Sequence, residues 1–362
     1  MTKLNSLSVS GYKSIKSLEN LELKNLNILI GANGAGKSNF LSIFCLLNAI
    51  ENQQLQLYVQ KHGGPDSLLH FGRKNTDKIH MEFYFGDKEN GYKFDLTSTN
   101  DNRLIFEQEK TWFEGYYFPS ATHIIGMANE ETNLENTNDK FAPYVKNAIK
   151  TWRIYHFHDT SDTAKMKGVN TINDNLLLKT DAANLAAYLR KIRTQYPEEY
   201  NVIIKTIRLV LPFFYDFVYR EEKNLEYIEL EWLHKDDLDT PLKAHMLSDG
   251  SLRFICLVVL LLQPLQLLPD TIIIDEPELG LHPHAIAVLA SIFHQVAEEK
   301  QLIIATHSIE LIDKFEPEDI IVVEQLNGIS SFNRLSSEEL NVWLEDYSLA
   351  ELWQRNIIGG CP

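Results

Sequence analysis

The string Gly31-Ala-Asn-Gly-Ala-Gly-Lys37-Ser38 constrains this chain more than any other feature. It follows the pattern G-x-x-x-x-G-K-[ST] and stands between an apolar run, Leu21 to Ile30, that reads as a strand and a segment from Lys37 to about Ile50 that reads as a helix. In that context the glycines let successive backbone N–H groups curl around a phosphate, with the positive end of the helix dipole behind them. Lys37 then meets the β- and γ-phosphates of a nucleotide, and Ser38 offers an oxygen to Mg²⁺. The nucleotide-binding set expected from this stretch is Gly31, Asn33, Gly34, Gly36, Lys37, Ser38 and Asn39.

Thr271-Ile-Ile-Ile-Asp275-Glu276-Pro277 is an apolar strand that ends in two carboxylates. Open parallel sheets bind ligands at that carboxyl edge. With a phosphate loop on the same chain, Asp275 is expected to hold Mg²⁺ and Glu276 to polarise the attacking water. Leu247-Ser248-Asp249-Gly250-Ser251-Leu252-Arg253 precedes a long apolar helix; Ser248 can cap it, and Gly250 allows the backbone to approach an anion closely. A further apolar strand, Ile303-Ile-Ala-Thr, ends in His307 and Ser308.

These motifs occur in the order of ABC-type ATPases. The loop at Gly31–Ser38 resembles Walker A, the Ser248–Gly250 loop the signature motif, Asp275–Glu276 Walker B, and His307 the switch histidine that senses the γ-phosphate. Glu278-Leu-Gly-Leu-His282-Pro283 occupies the D-loop position, which in that family lies across a dimer interface. Asp249 stands where transporters usually carry Gly, a departure typical of RecF-like proteins. The strings Leu-Ser-Asp-Gly-Ser-Leu-Arg and Asp-Glu-Pro-Glu-Leu-Gly-Leu-His-Pro look most like those of RecF/OLD-like ATPases, and the carboxyl-terminal segment from Trp343 through Trp353 to Gly359–Gly360 resembles the tail of small ATPases found beside TOPRIM-like nucleases in defence modules. The resemblance implies an α/β, ABC/RecF-like P-loop ATPase head with a β-rich N-terminal lobe and a helical insertion. It also implies Mg-ATP hydrolysis with Glu276 and His307 as catalytic residues and Ser38 and Asp275 on the metal. Ser248, Asp249 and Gly250 would contact nucleotide held by a second copy, and a nuclease-type protein would be the effector. The competing expectation is a RecF-like DNA clamp that holds DNA between ATP-closed heads.

The motifs lie at the two ends of the chain, which divides the sequence into a first core half with β decoration (1–100), an inserted region (101–243), a second core half (244–335) and an aromatic tail (336–362). Ile79–Phe85 and Tyr92–Leu96 alternate around a turn with Asn90 and Gly91, a hairpin signal. Apolar positions from Asp181 to Val210 recur at helical spacing around a break at Pro197. The polar stretch Asn129–Lys140 has little to bury and reads as a mobile loop. The space between the motifs excludes a long coiled-coil arm.

A formal charge of −16 works against nucleic acid at long range, so a DNA contact needs a local basic patch; Lys13, Lys16 and Arg73 are the cations considered for it. No apolar run is long enough to span a bilayer, and the first residues carry no secretory pattern. Three scattered cysteines, Cys45, Cys256 and Cys361, suggest neither a disulfide framework nor a zinc site and fit a reducing cytoplasm. Several signals stay open. No Q-loop glutamine can be placed: Gln53, Gln54, Gln56 and Gln60 read as solvated, and Phe71–Lys74 as an exposed basic turn. His156 and His158 would share one face of a strand, as a metal pair or in a structural or nucleotide-adjacent role. The aromatic tail from Trp343 through Trp353 to Gly359–Gly360 either packs on the core or anchors a partner.

Overall fold

The computed structural model describes residues 3–86, 89–115, 118–220 and 226–360; Cys361 lies outside them. β1 (Leu4–Tyr12) and β2 (Ile15–Glu22) pair antiparallel, and β3 (Leu26–Ile30) runs into α1 (Lys37–Glu51). Two short helices, α2 (Leu55–Lys61) and α3 (Pro65–Leu68), return the chain to β4 (Lys78–Phe85), β5 (Asn90–Ser98), β6 (Leu104–Gly115) and β7 (Phe118–Gly126). Strands β2-β1-β4-β5-β6-β7 form a six-stranded antiparallel sheet. Next come α4 (Ala142–Lys150), β8 (Arg153–Tyr155), β9 (Asn170–Thr171), and the helical pair α5 (Leu185–Gln195) and α6 (Pro197–Val210). β10 (Phe214–Val218), β11 (Tyr227–Ile228), β12 (Glu231–His234) and β13 (Asp237–Lys243) follow; β11 pairs with β9, and the other three form a small sheet.

The rest alternates helix and strand: α7 (Asp249–Leu262), β14 (Thr271–Asp275), α8 (Pro283–Glu299), β15 (Gln301–Ala305), α9 (Ile309–Ile312), β16 (Ile320–Leu326) and β17 (Ile329–Arg334). Helices α10 (Ser337–Leu344) and α11 (Leu349–Gln354) end the described chain. The second six-stranded sheet has the order β17-β16-β3-β15-β14-β8, parallel except for β17. This is a mixed α/β fold with the glycine-rich segment Gly31–Gly36 leaving a central strand.

Strand alternation decides which layer each side chain joins. Ile28 and Ile30 on β3, Ile272 and Ile274 on β14, and Leu302 and Ile304 on β15 pack against α5 to α8. Leu29, Ile273 and Ile303 point to the opposite face and pack with α1 and the antiparallel sheet. Helix α1 is therefore held between two sheets, and Phe40, Ile43, Phe44 and Leu47 on it are almost fully buried.

Three expectations need correction. The run Leu21–Ile30 is not one strand: β2 ends at Glu22 and β3 begins in the other sheet. Asn27 makes the break, accepting from Lys24 N at 2.9 Å and donating Nδ2 to Lys24 O at 2.7 Å, a side-chain turn that competes with the ladder. The polar stretch Asn129–Lys140 is fastened down rather than left loose. Glu131 caps α2 through the N–H groups of Leu55 and Gln56 at 2.8 and 3.0 Å, Thr132 and Leu134 are buried, and Asp139 accepts from Ala142 N at 2.9 Å. Gln53 and Gln56 are not solvated either; their amides donate to the carbonyls of Thr132 at 2.8 Å and of Leu104 at 2.7 Å.

The aromatic tail divides. Trp353 is fully buried and donates Nε1 to Gly360 O at 2.6 Å, whereas Trp343 is 45% exposed. Gly360 N donates in turn to Glu324 Oε1 on β16 at 2.9 Å, so the tail closes over the strand next to the phosphate loop.

Candidate functional site

The loop after β3 is shaped by its backbone and by what stands behind it. Gly36 has φ 120°, and a Cβ there would lie 2.1 Å from Ser330 Oγ, so both conformation and space demand glycine. Ser330 Oγ donates to Ala35 O at 2.6 Å and sits 2.7 Å from Ser14 Oγ, which accepts from Asn39 Nδ2 at 2.7 Å. The β16–β17 hairpin and the β1–β2 turn thus support the loop from beneath, while Asn33 and Gly34 at its crest are exposed. Asn39 is occupied in this support, one position beyond Ser38, and its amide is turned to Ser14.

Lys37 folds back over the loop. Its Nζ donates to Gly31 O at 2.7 Å and Ala32 O at 3.2 Å, and lies 3.5 Å from His307 Nδ1. Burial lowers its pKa to about 8 against the pull of Glu276, Asp275 and Glu278, which favour the charged form. A partly desolvated cation so placed, beside a glycine-rich loop at a helix N-terminus, fits a polyphosphate. Ser38 and Asp275 both line a cavity of about 740 Å³. Two hard oxygen donors with open space beside them are what a Mg²⁺ ion with several waters requires.

The carboxylates converge at the ends of β14 and β15. Burial raises the pKa of Asp275, with the Glu276 charge adding to it and His158, His156 and Lys37 opposing. Glu276 has φ 46°, a left-handed conformation that costs a side chain about 1–3 kcal/mol and that recurs at functional sites. It is held there by its own N–H donating to Ala305 O at 2.9 Å. Its Oε1 lies 3.7 Å from His307 Nε2 and its Oε2 4.0 Å from His158 Nε2. Burial and the Lys37 charge lower the pKa of His307, with Glu276 opposing. Glu278 positions that histidine by accepting from His307 N at 2.8 Å, and burial raises its own pKa.

The Ser248 loop stands apart from this cluster. Ser248 caps α7 by accepting from Ser251 N at 3.2 Å; Ser248 and Asp249 are exposed, and Asp249 lies 3.7 Å from Lys167 Nζ. A Cβ on Gly250 would lie 2.2 Å from Gly280 O, so this glycine lets the signature-like loop and the turn after β14 touch. Gly250→Ala must push two backbone segments apart and is expected to cost about 1–3 kcal/mol, as overpacking does. Thermal melting of the nucleotide-free protein checks this, and an unchanged melting temperature contradicts it.

Sequence reasoning brought Lys37, Asp275, Glu276 and His307 forward, and the structure places them together. It underused three residues. In the sequence Arg253 is only the end of the Leu247–Arg253 string, yet it bonds four groups on two other segments. His158 follows β8 outside the strand, with Nε2 3.2 Å from Asp275 O, so its place is beside the carboxylates and not on a strand face with His156. Among the described residues no group of three or more His, Cys, Asp or Glu side chains is arranged to hold a metal ion. Ser330, the third, gave no signal at all, since it reaches the loop from nearly three hundred positions away.

A family model described as "AAA domain, putative AbiEii toxin, Type IV TA system" matches residues 26–313, a span that takes in every motif above. The chain belongs to this AAA family. Its fold is that of SMC heads. An SMC head bound to the C-winged helix domain of ScpA superposes with a TM-score of 0.59 at 16% identity, covering 94% of this chain and 99% of that one. An SMC head with an extended coiled coil, bound to the C-terminal domain of ScpA derived from Pyrococcus furiosus, gives 0.58 at 15%, covering 96% and 99%. No curated protein matches the sequence. Among the described residues no helix is long and apolar enough to cross a membrane.

Proposed function

We propose that this AAA-family chain binds Mg-ATP and hydrolyses it at composite sites formed by two copies arranged head to tail, and that the cycle switches a nuclease-type partner in antiphage defence. One observation carries the pairing. The crest of the phosphate loop (Asn33, Gly34) and the signature-like loop (Ser248, Asp249) are both exposed on one chain, and among the described residues no hydrogen bond or ion pair joins them. Two half-sites exposed on one chain are, in this reading, completed by a second copy.

In this reading the loop from Gly31 to Gly36 and Lys37 bind the phosphates. Ser38 and Asp275 would hold a Mg²⁺ ion, which supplies neutralisation of phosphate charge. Glu276 orients and deprotonates the attacking water, and His307, set between Lys37 Nζ and the Glu276 carboxylate, senses the γ-phosphate. Ser248 and Gly250 of the second copy close the site. The partner reading rests on the family resemblance and on the precedent of SMC heads of this fold bound to ScpA domains. A reducing cytoplasm remains the proposed compartment.

The DNA-clamp alternative has less to draw on. Lys13 Nζ donates to Ser42 Oγ at 2.9 Å, and Arg73 is tied to Asp66 at 3.0 Å and to Asn102 at 2.7 Å, so two of its three cations are engaged within the chain. Co-expression of the Glu276→Gln form with the product of the neighbouring gene tests the partner. A complex that appears or dissolves with Mg-ATP supports it; free proteins in every nucleotide state, with salt-sensitive ATP-dependent DNA binding instead, favour the clamp.

A further inference from the structure

We infer that His158 is a positioning residue for Glu276 and that Arg253 sets it in place; this rests on the hydrolytic reading of Glu276 above. After β8 the chain leaves the edge of the parallel sheet as an irregular strap, 156–160. A single guanidinium takes three of the strap's acceptors: Arg253 Nε donates to Phe157 O at 3.1 Å, and Nη2 to His158 O at 2.9 Å and Thr160 Oγ1 at 3.1 Å. The remaining arm, Nη1, donates to Leu279 O at 3.0 Å, in the turn that follows Glu276. One side chain near the start of α7 therefore fixes the strap that carries His158 against the turn that carries Glu276.

The His158 ring sits at that junction. Its Nε2 lies 3.2 Å from Asp275 O and 4.0 Å from Glu276 Oε2. A carbonyl can only accept, so this geometry assigns the hydrogen to Nε2, which donates it to Asp275 O, the carbonyl of the peptide that leads into Glu276. On the far side His307 Nε2 stands 3.7 Å from Oε1. Glu276, whose Cα–Cβ direction is already set by its left-handed backbone, thus has an imidazole on each flank. In this role His158 fixes the Asp275 carbonyl, and through that peptide the point from which the Glu276 side chain starts, while the two rings bound the space on either side of the carboxylate.

Arg253 is engaged inside the chain, whereas Ser248 and Asp249 in the loop it follows face outward. A second copy closing on that loop would bear on the helix that holds both the strap and the turn.

The test measures ATP turnover and nucleotide affinity together on His158→Ala and His158→Gln, with Glu276→Gln as reference. Losing an orienting partner typically costs about 10- to 100-fold, so His158→Ala is expected to lower kcat by that factor with KM and nucleotide Kd within about twofold. His158→Gln keeps an N–H donor at similar reach and is expected to restore kcat to within about threefold of the unmodified protein. Arg253→Lys cannot serve four acceptors, and hydrogen exchange in 156–160 and 276–281 of the nucleotide-free protein should rise while 254–261 stays protected. Unmodified kcat in His158→Ala, or a Gln variant no better than Ala, overturns the role of His158. Unchanged exchange in Arg253→Lys overturns that of Arg253. If Glu276→Gln itself turns over ATP normally, the hydrolytic reading fails first; if only that variant is inactive, the present inference alone fails.

Discussion

Lys37→Met is expected to weaken Mg-ATP binding by at least about 100-fold, because it removes the buried cation that folds over the Gly31–Gly36 loop, where the proposed site holds the phosphates. Calorimetric titration reads this directly, and affinity within a few-fold of the unmodified protein contradicts it. The same substitution has a second signature. The Lys37 pKa is lowered from 10.5 to about 8, so below pH 8 the folded and unfolded states are both protonated and the folded state bears the full cost of the desolvated charge. Between pH 8 and 10.5 the folded state releases its proton first, binds fewer protons than the unfolded state, and gains stability as pH rises. The stability of the unmodified protein relative to Lys37→Met should therefore climb across that window by something of the order of 1 kcal/mol, reduced from the full shift because the loop is open to water. Denaturant melts at pH 7.5 and 10 measure it; a difference independent of pH contradicts the placement of Nζ.

Glu276→Gln carries the other large effect. The amide keeps the side chain's size but removes the base, and loss of general base function costs about 10²- to 10⁴-fold in kcat. Binding should persist, since neither Lys37 nor the glycine loop is touched. ATP-bound pairs that cannot hydrolyse should then accumulate, so sedimentation velocity with Mg-ATP should show a dimer that is sparse in the unmodified protein. Normal turnover without a dimer would mean that the carboxylate held between His158 and His307 has another task.

How far the sequence alone reached follows from the range of the forces involved. The phosphate loop, the Asp275–Glu276 strand end and the α5–α6 pair were legible because each rests on local spacing: a glycine pattern, a period of two, a period of 3.6. The packing that aims them was not. Ser330 supports Ala35 across nearly the whole chain, and Arg253 reaches a strap some ninety-five positions earlier; neither leaves a periodic trace. The two misread segments failed for another reason. Asn27 turned a continuous apolar run into two strands by bonding its own backbone neighbours, and Glu131 and Asp139 gave a polar stretch a use as helix caps that composition does not register. His158 falls between these cases, since its spacing from His156 suggested a shared strand face, whereas β8 ends at Tyr155 and the histidine turns to Asp275.

The central claim, that each site is built from two copies, is tested by mixing two inactive proteins. Lys37→Ala keeps an intact Ser248 loop, and Ser248→Arg keeps an intact phosphate loop. In a heterodimer one of the two sites pairs good halves, so an equimolar mixture, half of whose pairs are heterodimers, should recover about a quarter of the unmodified ATPase rate if the sites act independently. A mixture no more active than the sum of its two components would show that the sites are not shared between copies.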